Sequence, residues 1–224
     1  MCPTYAYPRP AVTVDVTFFA VVDRRLQLLL IRRKSPPFKN HWVLPGGFLD
    51  MDEALEAAAR RELVEETGLK VGCVHELGAY GNVGRDPRGR TISVAFVAVH
   101  CGEPPAAQAG DDASDARWFP VRRLPKMAFD HRQIIRDARR WLTKTLDESS
   151  TDVLGLLPQR VSGDDLVATY AAIRGKPPER ARLVRRLITD GAIVEHRNGT
   201  PPKRTRNAKR NHSSKRYRVV RRRA

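Results

Sequence analysis

Val12 to Val22 and Leu26 to Arg32 are rich in Val, Phe, Leu and Ile, and Asp23-Arg24-Arg25 separates them. That pattern predicts a β-hairpin. Pro36-Pro37 interrupts it, Trp42-Val43-Leu44 predicts a brief strand, and Pro45-Gly46-Gly47 predicts a turn. Asp50 with Glu53 three positions later has the spacing of a capping box, and Gly68 is a stop signal. A helix of about four turns is expected between them. Val71 to Ala79 and Thr91 to His100 predict further strands, and Glu103 to Asp115 predicts a loop. From Asp130 to Leu146 the apolar residues Ile134, Ile135, Ala138, Trp141 and Leu142 recur at helical spacing, so this segment can cover a sheet. The first part of the chain is therefore a mixed α+β domain.

Asp147 to Thr151 is polar, which places a boundary there and divides the chain into residues 8–148, a linker at 149–160 and a second domain at 161–224. In the second domain Ser162 and Asp165 form a capping-box pair ahead of Leu166, Val167, Tyr170 and Ile173. Gly175-Lys176-Pro177-Pro178 predicts a turn. A second helix, Glu179 to Thr189, carries Ala181, Val184, Leu187 and Ile188 on one side and Arg180, Arg182, Arg185 and Arg186 elsewhere. Ala192 to His196 and Arg216 to Val220 predict two short strands around a basic loop.

Composition narrows the function classes. The 224 residues are 41% hydrophobic, enough for a buried core. No apolar run is long enough for a membrane helix, and the N-terminus lacks the pattern of a secretory signal. Cys2, Cys73 and Cys101 are odd in number and have no metal-ligand spacing. A cytoplasmic protein without a membrane partner is expected. The net charge of +16 is uneven, with 22 basic against 19 acidic residues in 1–150 and 19 against 6 in 151–224. Such a basic C-terminal part is suited to a polyanion.

The predicted first helix carries Glu62, Glu65 and Glu66 at i, i+3 and i+4, which fall within an arc of about 100°. Their repulsion weakens a helix by a few tenths of a kcal/mol per pair unless cations compensate it. Hard carboxylate oxygens suit Mg²⁺ or Mn²⁺, which retain positions for water and substrate phosphates.

Gly47, Glu53 and Arg61-Glu62-Leu63-Val64-Glu65-Glu66-Thr67-Gly68 stand at the spacing of the Nudix box, and here the sequence resembles the Nudix family. The resemblance implies an α/β/α sandwich and hydrolysis of a nucleoside diphosphate linked to another moiety. It also implies Glu62, Glu65 and Glu66 as catalytic metal ligands, a carbonyl near Gly47 as a further ligand, and a supporting role for Glu53 and Arg61. The general base stays open among Asp111, Asp112, Asp115 and the box glutamates.

Arg85, Arg88 and Arg90 lie in one turn-forming run and have the chemistry to hold phosphates. With Ala128-Phe129-Asp130-His131, that run resembles the ADP-ribose pyrophosphatase branch. Trp42 and Phe48 flank the Pro-Gly-Gly turn, where contact with an adenine or ribose is one reading and core packing the first reading of both.

The second domain has the layout of a winged helix-turn-helix, with Arg180, Arg182, Arg185 and Arg186 on the helix that would enter a major groove of double-stranded DNA. A solvated arginine face or unspecific RNA binding also fits the charge, but the apolar helix faces imply a packed module and favour DNA. Residues 202–216 are expected to order only against phosphates.

Across nearly the whole chain, the order of parts resembles the Nudix-related transcriptional regulators. That resemblance implies sensing of ADP-ribose, operator control in NAD metabolism and a homodimer. Many members that only sense ligand have a degraded box, whereas this box is intact, so catalysis is expected to persist. The alternative is a Mg²⁺-dependent ADP-sugar pyrophosphatase whose basic module merely tethers it to nucleic acid.

Overall fold

The computed structural model describes residues 6–22, 24–72, 74–100, 106–110, 113–148, 159–196 and 215–220. The chain forms two compact units, one from residues 1–19, 27–99 and 105–141, the other from 20–26, 100–104 and 142–224. Most of the expected linker, at 149–158, lies outside the described residues.

The first unit is built on a six-stranded sheet of β1 (Ala11–Val22), β2 (Arg25–Arg33), β3 (Trp42–Val43), β4 (Val74–Tyr80), β5 (Thr91–Val99) and β6 (Ala113–Pro120). Its order is β3-β2-β1-β5-β4, with β6 also paired to β2. β1 runs parallel to β5, placing Asp15 beside Ala95 and Thr13 beside Ser93. Every residue from Thr13 to Ala20 is buried, including the alternating polar residues Thr13, Asp15 and Thr17, so both faces of β1 are covered. The start of β6 falls inside the expected loop. Its exposed Ser114 and Arg117 hide a strand that pairs antiparallel with β2 and buries Ala113 and Ala116.

Helix α1 (Leu55–Thr67) buries Ala58, Ala59 and Leu63 against Val14, Val16, Phe18 and Phe96 of the sheet. Two alanines on that face let the helix approach closely, and the glutamates remain at its edge. The expected N-cap at Asp50 is corrected: Ala54 is the cap residue, without a side-chain bond. Glu53 instead accepts a hydrogen bond from the Asp50 amide at 3.0 Å, so the pair shapes the preceding turn. Gly68 ends α1 in the left-handed conformation, φ 70°, as its position predicts. Helix α2 (His131–Glu148) buries Ile134, Ile135, Ala138 and Leu142, while Trp141 stacks near His75 at 5.2 Å.

The segment Pro45 to Leu49 is fastened along β1. Val16 N–H donates to Pro45 O at 2.8 Å, Val14 N–H to Gly47 O at 2.9 Å and Leu49 N–H to Val12 O at 3.1 Å. Gly46 has φ 155°, and a Cβ there would overlap the Val14 carbonyl. Only glycine permits this approach.

The second unit contains β7 (Arg160–Ser162), α3 (Gly163–Arg174), α4 (Arg180–Thr189), β8 (Ile193–His196) and β9 (Arg216–Val219). Its sheet order is β7-β9-β8. Helix, turn, helix and hairpin follow one another as the sequence predicts, while β7 is an addition. Ser162 caps α3 with the reciprocal Asp165 bonds. On α4 the buried face is Leu183 and Leu187, not the expected Ala181 and Ile188, which are exposed. Residues 197–214, including most of the expected basic loop, lie outside the described residues.

Candidate active site and nucleic-acid interface

A cavity of about 450 Å³ opens where β1, the 44–48 turn, α1 and the 85–88 segment meet. Glu62 and Glu66 line it from α1, Gly46 and Gly47 from the turn, and Arg88 and Phe129 from the opposite side. The sheet and α1 core hold the helix so that Glu66 Oε2 accepts the Gly46 amide at 2.7 Å. A Cβ at Gly47 would overlap the Glu62 carboxylate, so this glycine allows the acid to lie against the turn. Glu65 is 57% exposed and is absent from the cavity lining, in contrast to Glu62 at 12%.

Arg61 compensates much of the acidic crowding. Its guanidinium contacts Glu53 at 2.5 Å, Glu62 at 2.8 Å and Glu65 at 3.0 Å, and donates to Phe48 O at 3.1 Å. The Arg61 hydrogen bond holds Glu53 below the ordinary carboxylate range. Burial pushes Glu62 above that range against the pull of Arg61. The sequence-based picture of an uncompensated cluster is therefore corrected, because tertiary structure turns the box arginine into its counter-ion.

Among the described residues, no group of three or more acidic, His or Cys side chains is already gathered for a metal. The donor chemistry nevertheless fits a hard divalent cation. Glu62 is desolvated, Glu66 borders the same cavity, and both offer carboxylate oxygens. Gly47 O lies in the same turn but accepts the Val14 amide, leaving its second lone pair as the available donor.

The three expected phosphate-binding arginines separate. Arg88 reaches the cavity, pairs with Asp86 at 2.7 Å and lies 5.2 Å from the Phe48 ring and 5.8 Å from that of Phe129. Burial works against the Asp86 charge, but Arg88 outweighs it and holds Asp86 below its ordinary range. Arg85 also lines the cavity, yet its side chain is only 4% exposed and makes two hydrogen bonds to Asp130 at 2.9 and 2.7 Å. It is a buried structural cation first. Arg90 donates to Gly81 O and is absent from the lining, so the structure does not bring it to the cavity with Arg85 and Arg88. Trp42 packs on Phe119 at 4.6 Å, whereas Phe48 is 49% exposed at the cavity, correcting its expected place in the core.

Several cavity residues escaped sequence reasoning, namely Asp15, Arg33, Lys34 and Asp86. Asp15 had a signal, a lone acid within an apolar strand. His131, noted only as part of a motif, is fully buried: Leu44 N–H donates to its Nδ1 at 2.9 Å, and its Nε2 faces Asp15 at 3.4 Å. Burial lowers the His131 pKa, outweighing Asp15 and Asp130, while Arg85 and Arg33 act in the same direction as burial. The unfolded chain thus binds a proton near pH 6.5 that the folded chain refuses. Stability from this group is complete above pH 6.5 and falls by up to about 1.4 kcal/mol per pH unit below it, until the depressed pKa is reached. Chemical denaturation of wild type and His131→Asn across pH 5–7 checks this, and the variant should lack that component.

Asp115 pairs with Arg117 and does not line the cavity, while Asp111 and Asp112 lie outside the described residues. Gly110 donates to Glu66 O at 3.1 Å, at the end of α1.

The four α4 arginines also divide. Arg180 pairs with Asp164 of α3 at 3.2 Å. Arg186 donates to Tyr170 Oη at 3.1 Å and Leu146 O at 3.2 Å, and its guanidinium lies 5.6 Å from the Tyr170 ring. It joins α4 to its own unit, a correction to its expected outward placement. Arg182 and Arg185 are exposed. No helix among the described residues is long and apolar enough to cross a membrane.

A family model, the NUDIX domain, matches residues 12–138. The chain is 44% identical over 135 residues to an ADP-ribose pyrophosphatase of Methanocaldococcus jannaschii, covering 60% of this chain and 76% of that protein. It is 32% identical over 193 residues to the ADPR responsive transcriptional repressor NtrR of Acinetobacter baylyi, covering 84% and 76%. Among solved structures, Shewanella oneidensis NrtR complexed with a 27mer DNA matches with a TM-score of 0.74 at 30% identity, covering 93% of each chain.

Proposed function

This chain belongs to the Nudix family, and from that premise we propose that it is an ADP-ribose-responsive DNA-binding regulator that also hydrolyses ADP-ribose. The observation that carries this reading is similarity along most of the chain to a regulator of that kind, combined with Glu62 and Glu66 at the cavity. It acts in the cytoplasm as a homodimer, since paired subunits suit a two-fold operator.

In this reading Glu62 and Glu66, with Glu65 of the same helix and the Gly47 carbonyl, would hold Mg²⁺ or Mn²⁺. When bound, such a cation would supply charge neutralisation of the diphosphate and acidification of a water. Arg88 exchanges part of its bond to Asp86 for substrate phosphate, and Phe48 offers an apolar face to the base or ribose. Arg85, paired with Asp130 and Asp15, fixes the side of the cavity opposite α1. Arg61 orients α1 and the turn. On the second unit, Arg182 and Arg185 face DNA, with Arg180 and Arg186 fixing the helix that carries them.

A second reading, a pyrophosphatase merely tethered to nucleic acid, draws on the 44% identity to an ADP-ribose pyrophosphatase. Gel retardation of promoter duplex, with and without ADP-ribose, separates the two. Ligand-dependent retardation is expected. Retardation indifferent to ADP-ribose at every concentration leaves the second reading, and no retardation of any duplex at low salt removes both.

A further inference from the structure

We propose that His131 is a positioning residue for hydrolysis, holding the 44–47 turn in register with the glutamates of α1 through its bond to the Leu44 amide. The proposal rests on the hydrolase reading above and deepens it.

The turn is held from two sides. Glu66 accepts the Gly46 amide at 2.7 Å, and two residues earlier in the chain His131 Nδ1 accepts the Leu44 amide at 2.9 Å. An N–H donor aimed at Nδ1 requires that nitrogen to be unprotonated, so the proton of the neutral ring sits on Nε2. Nε2 faces Asp15 Oδ1 at 3.4 Å, an acceptor that favours this tautomer. Asp15 is itself fixed, because Ser93 Oγ donates to its other oxygen and Arg85 lies 3.6 Å away. A buried polar chain therefore runs from the central strand through His131 to the turn that Glu62 and Glu66 face. Burial disfavours the charged ring, which would turn Nδ1 into a donor against the Leu44 amide.

A buried histidine could serve packing alone. Packing would be indifferent to which ring nitrogen is reproduced, whereas positioning needs an acceptor at Nδ1. Asn places its amide oxygen near the Nδ1 position and Gln places its own near Nε2, so the two variants divide these roles.

The test uses full-length protein with ADP-ribose and Mg²⁺, together with hydrogen exchange at the Leu44 amide. His131→Gln should lower kcat by about 100-fold with KM changed by less than about threefold, as expected for misplaced groups at the reacting centre. Leu44 exchange should accelerate by about tenfold on loss of its bond. His131→Asn should restore most of both. Asp15→Asn gives a second measurement: offering an amide N–H to Nε2 favours the other tautomer, so Leu44 exchange should again rise. Equal behaviour of Asn and Gln at 131 in folded protein, or unchanged Leu44 exchange in both His131→Gln and Asp15→Asn, overturns the proposal. Absence of wild-type turnover removes the hydrolase reading and this proposal's catalytic role, while normal wild-type turnover with equal Asn and Gln variants removes only the proposal.

Discussion

Glu66→Gln should lower ADP-ribose hydrolysis by at least about 10³-fold, corresponding to roughly 4 kcal/mol of lost transition-state stabilisation. The amide is nearly the same shape as the acid and its oxygen can still accept the Gly46 amide, so the 2.7 Å bond that secures the turn survives. What disappears is the anionic donor at the cavity. A fall in kcat with an unchanged melting temperature separates loss of chemistry from loss of fold. Retardation of promoter DNA by this variant should persist and remain sensitive to ADP-ribose, because the proposed ligand recognition also draws on Arg88 and Phe48. Turnover within tenfold of wild type at saturating Mg²⁺ would remove Glu66 from the proposed metal set.

The second large effect is expected on α4. Simultaneous Arg182→Ala and Arg185→Ala should weaken promoter binding by about 2–6 kcal/mol if both reach base edges, at 1–3 kcal/mol each. If they contact phosphates instead, the loss should be similar for all sequences and the salt dependence shallower by about one unit per contact. Fluorescence anisotropy on promoter and random duplexes over a salt series distinguishes these outcomes. Unchanged affinity on both duplexes would take α4 out of the interface. Arg186→Ala is the internal control, since its bonds to Tyr170 and Leu146 tie it to the fold. It should lower thermal stability, whereas the Arg182/Arg185 pair should not.

Ligand can alter DNA affinity only if it favours one arrangement of the protein over another. Hydrolysis would then reset the signal. Intact carboxylates and a second unit are both accounted for in the proposed reading when turnover and sensing share one cavity.

Local chemistry made several features legible without coordinates. Gly68 terminates α1 because few other residues adopt its left-handed backbone, and Ser162 with Asp165 forms a capping box because both partners lie within one turn. The glutamates at helical spacing identified the acidic edge for the same reason. Strand β6 was hidden because only Ala113 and Ala116 are buried among its polar residues, and its partner β2 lies about eighty residues away in the chain.

Charge roles were the least legible from order along the chain. Arg85, Arg88 and Arg90 are near neighbours in sequence, yet one is buried against Asp130, one borders the cavity and one meets a backbone carbonyl. Arg186 resembles Arg182 and Arg185 until Tyr170, sixteen positions away, supplies its partner. Helix type, stop signals and the acidic edge follow from interactions spanning a few residues, so sequence by itself determined them. The partner of each long charged side chain depends on segments brought together from far along the chain, and only tertiary structure decided which cations are counter-ions and which remain available to phosphate.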